Sequence, residues 1–136
     1  MIIADTGFFV ALGNKNDNFP APAKQKLTTL KESLISTYPV IVETSYLLWE
    51  RCGNDAQFKF IGQLTQGSIK IFHLENIHLE RMLELMIKYL NLPMDLADAS
   101  LVVLAETIKE NRILTTDRRD FSVYRWLNNQ TFDILI

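Results

Sequence analysis

The chain has 136 residues, 48% hydrophobic and 22% charged, with a net charge of −2, a sequence pI near 5.6 and a mean hydropathy of +0.04. These values fit one folded domain over 1–136 and exclude a disordered chain or a protein that coats nucleic acid by bulk positive charge. One cysteine, Cys52, and two histidines, His73 and His78, exclude an internal disulfide, a thiolate cage and a histidine-rich site, so any metal must be held by oxygen.

In chain order, Ile2 to Ala4 predicts a short buried strand and Thr6 to Leu12, centred on "FFVAL", the helix that follows. The apolar opening is broken by Asp5 and has no leading basic segment, and no stretch reaches membrane-spanning length. The expectation is therefore no signal peptide, no membrane and a cytoplasmic location. Two prolines and the helical spacing of Leu27 and Leu30 predict a second helix within 17–33. "LIST" is a second strand, "VIVETSYLLWER" and "NDAQFKFIGQLTQ" are helices, and Gly67 closes the latter. "IKIFHL" alternates as a strand. "ENIHLERMLELMIKYLN" is an amphipathic helix through Ile77, Met82, Leu85, Met86 and Tyr89, and "DLADASLVVLAETIKE" is nearly all apolar and expected at the centre. "RILTT" and "FDILI" complete the strands. Strands alternating with helices predict a three-layer α/β/α sandwich with a central, mainly parallel sheet.

In such folds the active site lies outside the carboxyl ends of the strands, and that rule selects among the acids. Asp5 directly follows the first strand, Glu43 lies in the first turns after the second, and Asp117 follows "RILTT". Asp98 lies in the first turn of the apolar helix, which also starts at that edge. Each has a plainer reading beside it. Asp95 and Asp98 are spaced as helix N-cap and third residue, Asp5 can cap the helix from Thr6, and Asp117 can initiate the turn "DRRD". Glu43 leaves an apolar face with Val40, Tyr46 and Leu47, and a charge there needs a partner. No lysine or arginine lies at a spacing that neutralises these acids within their own elements. Clustered carboxylates repel, and a divalent cation is the simplest way to hold them ionised together. Oxygen-only ligation points to Mg²⁺ or Mn²⁺, with Ca²⁺ also admissible, and to phosphodiester hydrolysis.

Together "IIADTGFFVAL", "VIVETSYLL", "PMDLADASLVVLAE" and "ILTTDRRDFSVYR" resemble PIN-domain ribonucleases, particularly the toxins of VapBC-type toxin–antitoxin pairs, over Ile2 to Arg125. The resemblance implies a Mg²⁺- or Mn²⁺-dependent endoribonuclease acting on RNA, a homodimer, and a partner antitoxin protein. It places the family's acids on Asp5, Glu43, Asp98 and Asp117, its hydroxyls on Thr6 and Thr115, and leaves Asp95 and Asp120 as outer acids. Asp5, costly at a strand end, serves as a rigid ligand held by the sheet, with Gly7 allowing a tight turn beside it.

Arg118 and Arg119 either steer an RNA backbone or form a solvated turn, and Tyr124, Arg125 and Trp126 either stack bases or form a packing edge. Phe8, Phe9, Trp49 and Phe60 read as core or dimer interface, His73 and His78 as surface or core, and Cys52 as a small hydrophobe. An aspartate phosphotransferase with Asp5 as nucleophile is disfavoured, because Gly7 stands where its second aspartate belongs. A housekeeping nuclease of the same fold is the other enzymatic alternative. For a non-catalytic binding module a lost acid is the expected sign, and none of the four is lost.

Overall fold

The computed structural model describes residues 1–14 and 30–135, so most of the helix predicted within 17–33 lies outside the described residues. The strands are β1 (Ile2–Ala4), β2 (Leu34–Thr37), β3 (Ile69–Phe72), β4 (Arg112–Leu114) and β5 (Asp133–Ile134). The helices are α1 (Thr6–Gly13), α2 (Tyr38–Cys52), α3 (Asn54–Thr65), α4 (Asn76–Lys88), α5 (Leu96–Ile108) and α6 (Arg118–Val123). No helix among the described residues is long and apolar enough to cross a membrane.

The strands form one sheet in the order β3-β2-β1-β4-β5, and every pair is parallel. Helices cover it to give the expected three-layer α/β/α arrangement. Register is set by apolar residues side by side: Ile3 faces Ile35 on one flank and Ile113 on the other. Buried on both sides, β1 carries no polar residue, as a central parallel strand requires. From β1 the chain adds β2 and β3 on one side, then returns to add β4 and β5 on the other. The order of connection therefore reverses beside β1, and such a switch point opens a crevice at the carboxyl ends of its strands.

Helix α5 is the central helix anticipated, buried continuously from Ala99 to Ala105. Phe8, Phe9 and Phe60 join the core, with Phe9 packed on both Phe8 and Phe60. Trp49 does not: it is half exposed and meets Tyr46 on the outer side of α2. In α4 Met82 and Leu85 are buried, whereas Ile77 is 67% exposed. It is not at three- or four-residue spacing from either Met82 or Leu85 and so lies off their face. The "DRRD" segment is a helix start rather than an open turn. Asp117 caps α6 by accepting from Asp120 N, the same cap-and-third-residue spacing as Asp95 and Asp98.

Gly7 also departs from expectation. It sits inside α1 without a positive φ, and a Cβ there would collide with Thr116 Oγ1. The glycine permits close approach of α1 to the segment after β4, not a turn.

Candidate metal centre

Asp5 ends β1 at the switch point. Its backbone N–H still donates to Leu114 O at 3.0 Å, so the sheet holds its Cα in place. The carboxylate is buried, with Oδ1 accepting from Thr6 N at 2.7 Å and Oδ2 from Thr115 Oγ1 at 2.7 Å. Thr115 Oγ1 in turn accepts from Asp117 N at 2.9 Å, so one hydroxyl links the acids that follow β1 and β4. Asp5 thus caps α1 as well as facing the crevice, and the two readings of it are compatible.

Asp98 enters from the first turn of α5, where its N–H donates to the cap Asp95 Oδ1 at 2.8 Å. Its own Oδ2 accepts from Tyr124 O–H at 2.7 Å. Oxygens of Asp98, Asp117 and Asp120 lie within 4.8 Å of one another. Asp120, read from the sequence as an outer acid, stands in this trio, while Asp5 and Glu43 join the group through their charge. With both Asp5 oxygens engaged by donors, its carboxylate is anchored toward α1 and Thr115.

Burial pushes the Asp98 carboxyl up to about 8 against the lowering effect of the Tyr124 bond, with Asp5, Asp95 and Asp117 adding to the rise. Burial likewise pushes Asp5 up to about 6 against the Thr115 and Thr6 bonds, with Glu43 and Asp95 adding to the rise. Glu43 is raised by burial and then by Asp95, and Asp117 is raised chiefly by burial. Asp95 therefore acts on three of the four principal acids. Among the described residues no ion pair ties Asp5, Glu43, Asp98 or Asp117 to a lysine or arginine; Arg119 pairs instead with Asp120 at 3.2 Å. The favourable field comes from backbone: α1, α2, α5 and α6 all begin at this edge with their positive ends toward the acids.

An all-oxygen donor set with mutually repelling carboxylates suits a hard divalent cation. Thr6 Oγ1, buried one residue from Asp5, has no hydrogen-bond partner, and a buried hydroxyl of this kind is suited to a water held by such an ion. The residues present fit the implied group.

Other candidates settle differently. Tyr124 and Trp126 are buried, and Arg125 donates to the carbonyls of Ser122, Val123 and Tyr124 at the end of α6. This cluster is a packing edge. Arg118 and Arg119 are exposed next to Asp117. His78 Nδ1 accepts from Glu75 N in the cap of α4, His73 lies against Tyr38, and Cys52 is a half-buried free thiol. The Asp98 partner Tyr124 is the residue that sequence reasoning missed in this role. Only its place three residues after buried Phe121 marked it as inward-facing.

No protein-family model matches the chain. Over 134 residues it is 27% identical to ribonuclease VapC26 of Mycobacterium tuberculosis, covering 98% of this chain and 99% of that protein. Its structure is similar to the crystal structure of Mycobacterium tuberculosis VapC20, described as a sarcin-ricin loop cleaving toxin. The TM-score is 0.80 at 22% identity, over 88% of this chain and 92% of that one. A toxin–antitoxin complex from Klebsiella pneumoniae matches with a TM-score of 0.64 at 17% identity, over 90% and 92% of the two chains. The fold is thus the α/β/α sandwich of PIN domains, with carboxylates gathered at its switch point. The resemblance to VapC-type PIN toxins holds across nearly the entire chain.

Proposed function

We propose that this chain, as a single PIN domain over 1–136, is a cytoplasmic endoribonuclease that hydrolyses RNA phosphodiester bonds with Mg²⁺ or Mn²⁺ and serves as the toxin of a toxin–antitoxin pair. The observation that carries this reading is the group of carboxylates at the switch point, pushed upward chiefly by burial, with Asp5, Glu43, Asp98 and Asp117 in no ion pair among the described residues. The relatives named as a ribonuclease and as a sarcin-ricin loop cleaving toxin support the same substrate class.

Asp5, Glu43, Asp98 and Asp117 are the ligands in this reading, with Asp120 beside them. A divalent cation bound there supplies an activated water and positive charge for the displaced oxygen. Thr115 orients Asp5 and steadies Asp117 through its single hydroxyl. Thr6 Oγ1 is placed to hold a water, and Asp95 caps the helix that presents Asp98. Arg118 and Arg119, exposed beside Asp117, meet the RNA phosphates.

Partners follow from the surface. A groove of about 610 Å³ between α1, α2 and α3 is lined by Phe9, Leu12, Leu48 and Phe60, with Arg51 and Lys59 also on its walls. An apolar antitoxin helix suits this groove, and a basic residue following it would pair with the acids. Exposed Leu83 and Ile87 on α4 and Val42 and Trp49 on α2 supply apolar area for a homodimer.

The test is incubation of purified protein with ribosomal RNA carrying the sarcin-ricin loop, with Mn²⁺, with Mg²⁺ and with chelator. Cleavage that requires the cation, is absent in Asp5→Asn and is accompanied by growth arrest on expression supports the reading. A protein that binds no cation and cleaves no RNA overturns it.

A further inference from the structure

We propose that Tyr124 is a positioning residue for the metal centre: its O–H, donated to Asp98 Oδ2 at 2.7 Å, fixes that carboxylate's rotamer and leaves the other oxygen for the cation. This rests on the metal-dependent reading of the site given above.

Tyr124 is held so firmly that its hydroxyl has little freedom. The side chain is fully buried, packed edge-to-face against Tyr89 and Phe121 with ring centroids 5.1 Å away in each case. Phe121 is itself braced by Phe132 at 5.4 Å, and Tyr89 O–H accepts from Arg125 N at 3.0 Å, tying the residue after Tyr124 to the end of α4. A stiff aromatic cluster therefore aims one phenol at one carboxylate. Asp98 stands in the trio whose oxygens lie within 4.8 Å of one another, so its orientation bears directly on that cluster. Left to itself, that side chain would rotate away from the other acids. The Tyr124 bond opposes this rotation, as outer hydrogen bonds orient ligands in metal sites generally, where their loss lowers metal affinity about 10- to 100-fold.

A purely structural role is the alternative: the bond would then only satisfy a buried phenol. Tyr124→Phe separates the two because it keeps the ring and removes the donor. Phe132→Leu is the packing control, since it loosens the cluster without touching Asp98. Mn²⁺ titration calorimetry on the wild-type protein and both variants, with melting curves in chelator, reads the difference. The expected result is an Mn²⁺ Kd about 10-fold weaker in Tyr124→Phe with a metal-free melting temperature close to wild type. Phe132→Leu melts earlier with its Kd within about twofold of wild type. In RNA cleavage at limiting Mn²⁺, kcat falls in Tyr124→Phe while KM holds, and excess Mn²⁺ restores it. An unchanged Kd in Tyr124→Phe beside a wild type that binds Mn²⁺ overturns this inference alone. A wild type that binds no Mn²⁺ overturns the metal reading and this inference with it.

Discussion

The two edges of the sheet treat their carboxylates in opposite ways. At the amino edge, Glu32 lies just before β2 and Glu110 just before β4, and both meet the guanidinium of Arg112; Glu32 also pairs with the N-terminal amine at 3.1 Å. Arg112 and the amine hold Glu32 down at about 2, and the Arg112 bonds outweigh burial to hold Glu110 below its ordinary value. At the carboxyl edge Asp5 rises to about 6 and Asp98 to about 8. The same side-chain chemistry is neutralised by Arg112 and the N-terminal amine at one edge, while at the other Asp5, Glu43, Asp98 and Asp117 have no ion pair among the described residues. Among the described residues the one arginine paired at the carboxyl edge is Arg119, on Asp120, and it forms no ion pair with Asp5, Glu43, Asp98 or Asp117.

The largest effect expected is on cleavage. Asp5→Asn, Glu43→Gln, Asp98→Asn and Asp117→Asn should each lose RNA cleavage on the order of 10²-fold or more, with far-ultraviolet circular dichroism unchanged. Glu32→Gln at the other edge should cleave at the wild-type rate. Equal effects at both edges would erase the contrast.

Next in size is stabilisation by metal. An ion that binds only the folded state at about 100 times its Kd adds about 2.7 kcal/mol, so Mn²⁺ should raise the melting temperature by several degrees over the chelated protein. Asp98→Asn should melt higher than wild type without metal and gain less from Mn²⁺, because the amide removes the repulsion that the ion relieves.

The edges should also respond to pH with opposite signs. A carboxyl raised in the folded state binds more protons there than in the unfolded chain, so its contribution declines as pH rises. For Asp5 and Asp98 the metal-free protein should lose stability as pH climbs from about 4 through 6 to 8. Glu32, lowered to about 2, contributes stability that is present above its unfolded value and lost as pH falls from about 4.5 toward 2. Melting curves across pH 3 to 9 in chelator should show both limbs, and Mn²⁺ should flatten only the upper one.

The smallest effect is stability at the amino edge. Its ion pairs are solvent-exposed, so Glu32→Gln should lower the melting temperature at pH 7 by no more than a few degrees.

At the carboxyl edge the individual acids were legible in the chain; the Arg112 cluster at the amino edge was not. Asp5 stood out because a carboxylate directly after "MIIA" conflicts with a buried strand, and Asp98 because Ala97 and Ala99 flank it on an apolar helix. Asp120 was less legible: "DRRD" carries the same capping spacing as "DLAD" but too little apolar periodicity to announce a six-residue helix. Ile77 was placed on the buried face and is exposed, and of the two readings open for Trp49 its exposure removes only the core one, because helical spacing tells which residues share a face, not which face meets a neighbour.

The sequence by itself determined the alternation of strands and helices, the parallel sheet and the acids that end its strands, because period, capping and chain order are local properties. Tertiary structure decided which of those acids stand together, that Arg112 neutralises one edge and not the other, and that Tyr124 reaches Asp98 across 26 positions. These pairings depend on how elements distant in sequence pack, and on the burial that raises Asp5 and Asp98 above an ordinary carboxyl.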